Sequence, residues 1–213
     1  MRLLVCGNSR KVAKLAERYH DVLGRLLVPA AGNGESTVQH LGLPWAGDNG
    51  AYSGFDEQRY LRFLKRIAGR AGCLFVTVPD VVCNASATLA TFDLWEQTVR
   101  SLSRQPLALV AQNGMEDLVV PWGRFDALFL GGDDRWKESR AAWSLAQEAR
   151  SRGKHLHAGR VNSRRRMLMA RKWGCDSIDG SGMSKFGDVH LGRLLRWRRE
   201  IEGLMREREL PYT

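Results

Sequence analysis

Asp48, Asp80 and Asp179 each follow a short apolar run. Pro44-Trp45-Ala46-Gly47 precedes the first, Leu74-Phe75-Val76-Thr77-Val78-Pro79 the second and Ser177-Ile178 the third. An ionised carboxylate sits badly in a dry core. It suits the rim of a parallel barrel, where the loops after the strands converge on one pocket. Carboxylates gathered there can divide the labour of substitution at carbon. One attacks as nucleophile and another moves the proton.

The other strand ends add to this inventory. They read Asp48-Asn49-Gly50-Ala51-Tyr52, Gln112-Asn113-Gly114, Gly131-Gly132-Asp133-Asp134 and Gly159-Arg160-Val161-Asn162-Ser163. Such a set suits a purine-like base. A carboxylate accepts two hydrogen bonds from an amidine-like edge. The Gln112 carboxamide and the amides of Gly131 and Gly132 can donate to a carbonyl oxygen, and Tyr52 can stack on the ring.

These residues need a scaffold that brings distant segments together. Apolar runs predict strands at Leu3–Cys6, Arg25–Pro29, Trp45–Asp48, Leu74–Val78, Leu107–Ala111, Ala127–Leu130, His155–Ala158 and Ser177–Asp179. Most are continuous rather than alternating, as strands buried on both faces are. Helices are expected near 10–22, 57–70, 84–103, 137–152, 163–173 and 188–207. Asn84 is placed to cap the third, with Phe92, Trp95 and Val99 among its apolar residues. The fifth begins at Asn162 or Ser163, with Met167, Leu168 and Ala170 inside and its arginines toward solvent. The pattern predicts an α/β fold, a compact (β/α)₈ TIM-like barrel forming one domain over residues 1–213. Loops are expected in place of helices at 30–56 and 112–126. The rival is an open doubly wound sheet, but Cys6-Gly7-Asn8-Ser9-Arg10 is a poor phosphate loop for it.

Charge narrows the class of partner. The 213 residues carry a formal net charge of +10. That favours a polyanion, because Lys and Arg neutralise phosphates. Arg164, Arg165 and Arg166 cluster with Arg171 and Lys172, and a second cluster spans 193–199. The helix opened by Ser163 is either a phosphate grip or a solvated basic face. Arg160 reaches either a phosphate or a rim carboxylate. No apolar run approaches a membrane span, and Met1–Gly7 is too short in its apolar part for a signal peptide. A cytoplasmic protein with no membrane partner is expected. Cys6, Cys73, Cys83 and Cys175 form no CxxC pair, so reduced buried thiols are expected, with neither metal nor cofactor.

Several residues have plainer roles. Asp133 and Asp134 are expected to cap the helix near Trp136, and Asp176 to hydrogen-bond structurally. Of His155 and His157, one is expected to face the barrel interior as a buried, satisfied histidine.

The ordered segments resemble those of the tRNA-guanine transglycosylases, and more closely their small DNA-modifying relatives, the DpdA-type DNA transglycosylases. Asp48-Asn49-Gly50-Ala51-Tyr52-Ser53 is similar to the family's Asp-Ser-Gly-Gly-Phe-Gln. Val78-Pro79-Asp80 falls where the family has its base-recognising aspartate. Val110-Ala111-Gln112-Asn113-Gly114 resembles Val-Gln-Gly, and Leu130-Gly131-Gly132 the Gly-Gly turn. Asp176-Ser177-Ile178-Asp179-Gly180 resembles Asp-Met-Phe-Asp-Cys, whose second aspartate is the nucleophile.

The resemblance spans about residues 44–182. It implies a (β/α)₈ barrel that exchanges guanine for a 7-deazaguanine base through a covalent sugar–enzyme intermediate. Asp179 is then the nucleophile at C1′ and Asp48 the proton shuttle. Asp80, Gln112, Gly131 and Gly132 bind the base edge, and Tyr52 stacks on it. Arg160, Arg164, Arg165 and Arg166 meet the nucleic-acid backbone. The tRNA enzymes carry a zinc site of three cysteines and a histidine near the carboxyl terminus. No cysteine follows Cys175 here, which favours DNA over tRNA as the partner, with free guanine or a 7-deazaguanine base as co-substrate. Partner proteins of a DNA-modification system are also implied. Three alternatives stay open: an N-glycosidase that releases the base to water, a non-catalytic DNA-binding subunit of a modification system, and tRNA rather than DNA as substrate.

Overall fold

The apolar runs become strands because each has helices to cover one face and a barrel interior to fill on the other. The computed structural model describes residues 1–6, 10–30, 35–180 and 182–209. Its strands are β1 (Arg2–Val5), β2 (Leu23–Leu27), β3 (Trp45–Gly47), β4 (Cys73–Thr77), β5 (Leu107–Ala111), β6 (Ala127–Leu130), β7 (His155–Ala158) and β8 (Ser177–Asp179). They close into a barrel in chain order. Neighbouring strands are parallel, and β8 returns to β1 with Asp179 beside Leu4. The expected barrel is therefore present, with β5 to β8 at the expected bounds.

The helices are α1 (Arg10–Arg18), α2 (Glu35–Leu41), α3 (Glu57–Ile67), α4 (Ala85–Ser103), α5 (Asp134–Lys137), α6 (Arg140–Ser151), α7 (Arg164–Trp173) and α8 (Gly182–Glu209). Three expectations need correction. Segment 30–56 is not all loop, since it holds α2 and a 3₁₀ turn at Ala51–Ser53. The helix expected at 137–152 is two, because Ser139 starts a fresh cap by accepting from Ala142 N at 3.3 Å. The last helix begins earlier than residue 188. Segment 112–126 does lack an α-helix and carries only 3₁₀ turns at Met115–Asp117 and Trp122–Arg124. Gly7, Asn8, Ser9 and Ser181 lie outside the described residues.

Capping follows the sequence. Asn84 Oδ1 accepts from Ala87 N at 3.0 Å and opens α4. Ala85, Thr88, Phe92, Glu96, Val99 and Ser103 form its buried face at helical spacing. Leu94 is instead exposed. Glu96 tolerates burial because Arg124 and Arg100 both reach its carboxylate. On α8, Leu191, Leu194, Leu195 and Ile201 are buried, while Leu204 is exposed. No described helix is long and apolar enough to cross a membrane.

The barrel interior is filled by Leu4, Leu26, Ala46, Phe75, Ala108, Val110, Ala127 and Phe129. The histidines correct another expectation. Residues two apart on a strand share a face. Both His155 and His157 therefore turn inward, their rings 5.5 and 5.2 Å from that of Phe75. Polar groups thus enter the barrel on the β7–β8 side, and Thr77 of β4, on the same strand face as Phe75, joins them by accepting from Asn49 N at 2.8 Å.

Candidate active site

At the carboxyl ends of the strands lies one cavity of about 600 Å³, lined among others by Asp48, Asp80, Gln112, Lys137, Arg160 and Asp179. The three aspartates read from the sequence therefore share one mouth. Tyr52, Gly131, Gly132 and Arg166 also line it.

Asp48 leaves β3 at the point where the strand turns. Its amide still donates to Leu27 O, and Gly50 N donates back to Asp48 Oδ1 at 3.2 Å. Burial, then the nearby Asp179 carboxylate, raise its pKa to about 7. A carboxyl poised there can give and take a proton at neutral pH. Asn49 beside it is 2 % exposed. Its Nδ2 donates to Val78 O at 2.9 Å and to Asp80 Oδ1 at 2.8 Å.

Asp80 is thereby braced from two sides. Gln112 Nε2 donates to its other oxygen at 2.6 Å. Burial raises its pKa, and the hydrogen bonds from Asn49 and Gln112 oppose the rise. Both oxygens keep lone pairs for a ligand.

Gln112 is more committed than its sequence position suggests. Its Oε1 accepts from Cys83 N at 2.8 Å and Gly132 N at 2.9 Å. Only one Nε2 hydrogen is left for a base. The Gly131 amide donates to Ala111 O at 2.9 Å. The expectation that both glycine amides serve the ligand thus gives way to another role. They let two strand ends approach. At Gly132, with φ +60°, a Cβ would lie 2.4 Å from Trp136.

Asp179 ends β8. Its Oδ1 accepts from Arg160 N at 3.0 Å. His157 Nε2 lies 3.1 Å from its Oδ2. Ser177 Oγ lies 2.8 Å from His157 Nδ1 and 2.8 Å from His155 Nε2. With Asp179 as carboxylate, His157 must donate Nε2–H. In the neutral tautomer with the proton on Nε2, its Nδ1 accepts from Ser177, whose oxygen accepts from His155. Burial lowers the pKa of His155 to about 4, so its ring is neutral. The chain His155–Ser177–His157–Asp179 fixes the carboxylate from below.

Arg160 fixes it from above. Its backbone sits at φ 55°, a left-handed conformation that costs a β-carbon-bearing residue roughly 1 kcal/mol or more. That bend aims its amide at Asp179. Its guanidinium donates to Gly132 O at 2.6 Å and lies 4.4 Å from the centroid of the Tyr52 ring. Tyr52 is 68 % exposed on the rim. One face of its ring is therefore held by Arg160 rather than open to a base.

The remaining arginines are paired with acids. Arg164 Nε donates to Glu200 at 3.0 Å, and Arg165 pairs with Glu138. Arg166 reaches Glu138 at 2.9 Å and Asp134 at 2.6 Å, so it does not point to open solvent as expected. Ser163 caps α7 through Arg166 N. Asp133 caps α5 through Trp136 N at 2.7 Å, and Asp176 accepts from Leu156 N at 2.8 Å. Both are structural, as read. Asp134 is not a cap; it is an ion-pair partner.

Neither protein-family models nor curated proteins match this chain.

The chemistry is therefore read from the side chains. Sequence reasoning missed Asn49, His157, Ser177 and Lys137. The first three carry a usable signal: Asn49 follows the acid, Ser177 stands two residues before Asp179 on the same face, and His157 shares its strand face with His155. Lys137 sits on a helix, where no strand period points to it. The site joins a carboxyl balanced near neutrality, a carboxylate braced by two donors, and a third carboxylate held on edge. Such a division of roles between acidic groups suits acid–base-assisted nucleophilic substitution.

Proposed function

We propose that this chain exchanges a guanine base in DNA for a 7-deazaguanine base. The carrying observation is that carboxylates from β3, β4 and β8 share one nucleotide-sized cavity, with Asp48 shifted to about 7. The motif order in the sequence supports the base class.

In the proposed reaction the purine edge meets Asp80. An Asp179 oxygen forms a bond to C1′ as the bond from C1′ to the base nitrogen breaks. The base leaves with that electron pair and takes the proton of Asp48. The incoming base then returns a proton to Asp48, bonds to C1′ through the freed nitrogen and releases Asp179. His157 and the Arg160 amide hold Asp179 for the attack in a reaction of the ping-pong kind.

The test is incorporation of isotope-labelled guanine into DNA, with tRNA as the comparison polymer. Label in DNA that requires Asp179 supports the proposal. Label only in tRNA reassigns the polymer. Abasic sites without incorporation mean that water is the acceptor. No reaction with either polymer, together with DNA binding unaffected by Asp179→Asn, sinks the enzymatic reading.

A further inference from the structure

Lys137 has no place in the reaction above, yet it lines the cavity and is 3 % exposed. Among the described residues, its ammonium hydrogen-bonds one acceptor, Gly159 O at 3.2 Å. The nearest paired carboxylate oxygen, on Asp134, is 3.8 Å away, and that side chain is 60 % exposed. An ammonium carries three donors. Buried with one neutral acceptor, it destabilises the fold unless an anion joins it. Burial and the neighbouring Arg160 bring its pKa to about 8, which leaves it mostly charged at neutral pH.

The surroundings select the sign and place of that anion. Arg160 and Arg166 line the same β6–β7 wall, while Asp48 and Asp80 line the opposite wall. The guanidinium of Arg160 is held by Gly132 and Tyr52, and that of Arg166 by Asp134 and Glu138. They supply positive potential, and Lys137 supplies the spare donors. Asp134 and Asp179 line that wall too, but Asp134 is engaged by Arg166 and Asp179 by His157 and the Arg160 amide, so a ligand that fills the cavity meets Asp48 and Asp80 at one end and the spare donors of Lys137 at the other.

We infer that Lys137, flanked by Arg160 and Arg166, forms a phosphate subsite that takes a phosphoryl group of the nucleotide whose base faces Asp80. The assignment rests on the base-exchange reading only for the far end of the ligand. The phosphate belongs either to a free mononucleotide or to a strand.

Calorimetric titration with four probes tests this: inorganic phosphate, deoxyguanosine, deoxyguanosine 5′-monophosphate and a short single-stranded deoxyoligonucleotide containing guanine. Wild-type protein is expected to bind the monophosphate at least about tenfold tighter than the nucleoside, with inorganic phosphate as competitor. Lys137→Gln is expected to lose that tenfold while its affinity for deoxyguanosine changes less than about twofold. Lys137→Arg is expected to keep part of it. A Lys137 effect confined to the oligonucleotide assigns the phosphate to a strand, and one shared by the monophosphate shows that a single nucleotide suffices. Equal wild-type affinity for nucleoside and monophosphate overturns the subsite, even where Lys137→Gln fails to fold. So does an equal loss for every probe in a folded Lys137→Gln. If phosphate binding depends on Lys137 while deoxyguanosine does not bind, the subsite stands and the base reading fails. If deoxyguanosine binding requires Asp80 but phosphate adds nothing, the reverse holds.

Discussion

The two ends of the barrel treat polar side chains differently. Around the amino ends of the strands, several polar side chains close onto backbone. Arg2 donates to His20 O and Asp21 O, both at 3.2 Å. Asp126 accepts from Leu107 N at 2.9 Å, and Gln105 donates to Arg70 O at 2.9 Å. Lys154 donates to Phe125 O at 2.7 Å. At the carboxyl ends, acids face one another, an ammonium is buried, and Arg160 is bent into a left-handed conformation. The lower end spends its polar atoms on holding loops to strands. The upper end keeps charge that stability alone does not require, which supports the chemistry proposed for it.

The sharpest break of that contrast is Asp179→Asn. The amide keeps the shape and an acceptor for the Arg160 amide but cannot serve as a carboxylate nucleophile. Base exchange is expected to fall by about 10⁴-fold or more. The thermal midpoint should move little. A loss of folding instead of activity, measured by calorimetry beside the labelled-guanine assay, would make the upper end as structural as the lower.

Asp48→Asn separates the ends by pH. Exchange should drop by roughly 10²–10⁴-fold, and the limb of the rate profile near pH 7 should vanish. Stability should move the other way. The folded pKa of Asp48 is raised from 3.8 to about 7. Below pH 4 both states hold the proton and the shift costs nothing. Between 4 and 7 the native state keeps a proton that the unfolded chain has released, so stability falls as pH rises. The asparagine variant escapes this. It should match wild type near pH 4 and exceed it above pH 7, by on the order of 2–4 kcal/mol at most. Urea unfolding at both pH values measures the difference.

The upper end was legible in sequence where chemistry coincides with strand period. Asp48, Asp80, Gln112 and Asp179 follow apolar runs, and closure of the barrel brings them together. The barrel itself was legible because runs such as Leu107–Ala111 are apolar throughout. What hydrogen bonds decide was not legible. Nothing in Gly131-Gly132 says that their amides are already committed, and nothing in Arg164–Arg166 says that Glu138, Asp134 and Glu200 will pair with them. These partners lie more than 25 residues away, and only the packing of α5, α7 and α8 sets them. Lys137 was hidden for the same reason. The inward turn of both histidines did lie within reach, since a period of two puts His155 and His157 on one face.

His157→Gln tests how far the upper end depends on its buried chain of hydrogen bonds. Glutamine can still donate to Asp179 but does not reproduce the rigid link to Ser177. A roughly 10²-fold loss is the upper expectation for a misplaced nucleophile. It should appear in kcat, with KM for DNA nearly unchanged, because His157 is 0 % exposed and does not line the cavity. A rise in KM without loss of kcat would assign it to ligand binding instead.

The smallest effect on chemistry is expected at the lower end, and it completes the contrast. Asp126→Ala removes the acceptor of Leu107 N, an amide at the start of a strand whose residue is 0 % exposed. Leaving such a donor unmet costs about 1–3 kcal/mol. The turn between Phe125 and β6 keeps its backbone tie to β5, since the amide of residue 126 still donates to Leu107 O. Midpoint urea concentration should fall accordingly, while labelled-base exchange, measured well below the unfolding transition, stays within about twofold of wild type. The division of labour requires both results, because Asp126 and Asp179 stand at opposite ends of the same parallel sheet. A large loss of exchange in a still-folded Asp126→Ala would mean that the strands transmit strain along their length, and that the mouth is not independent of the floor.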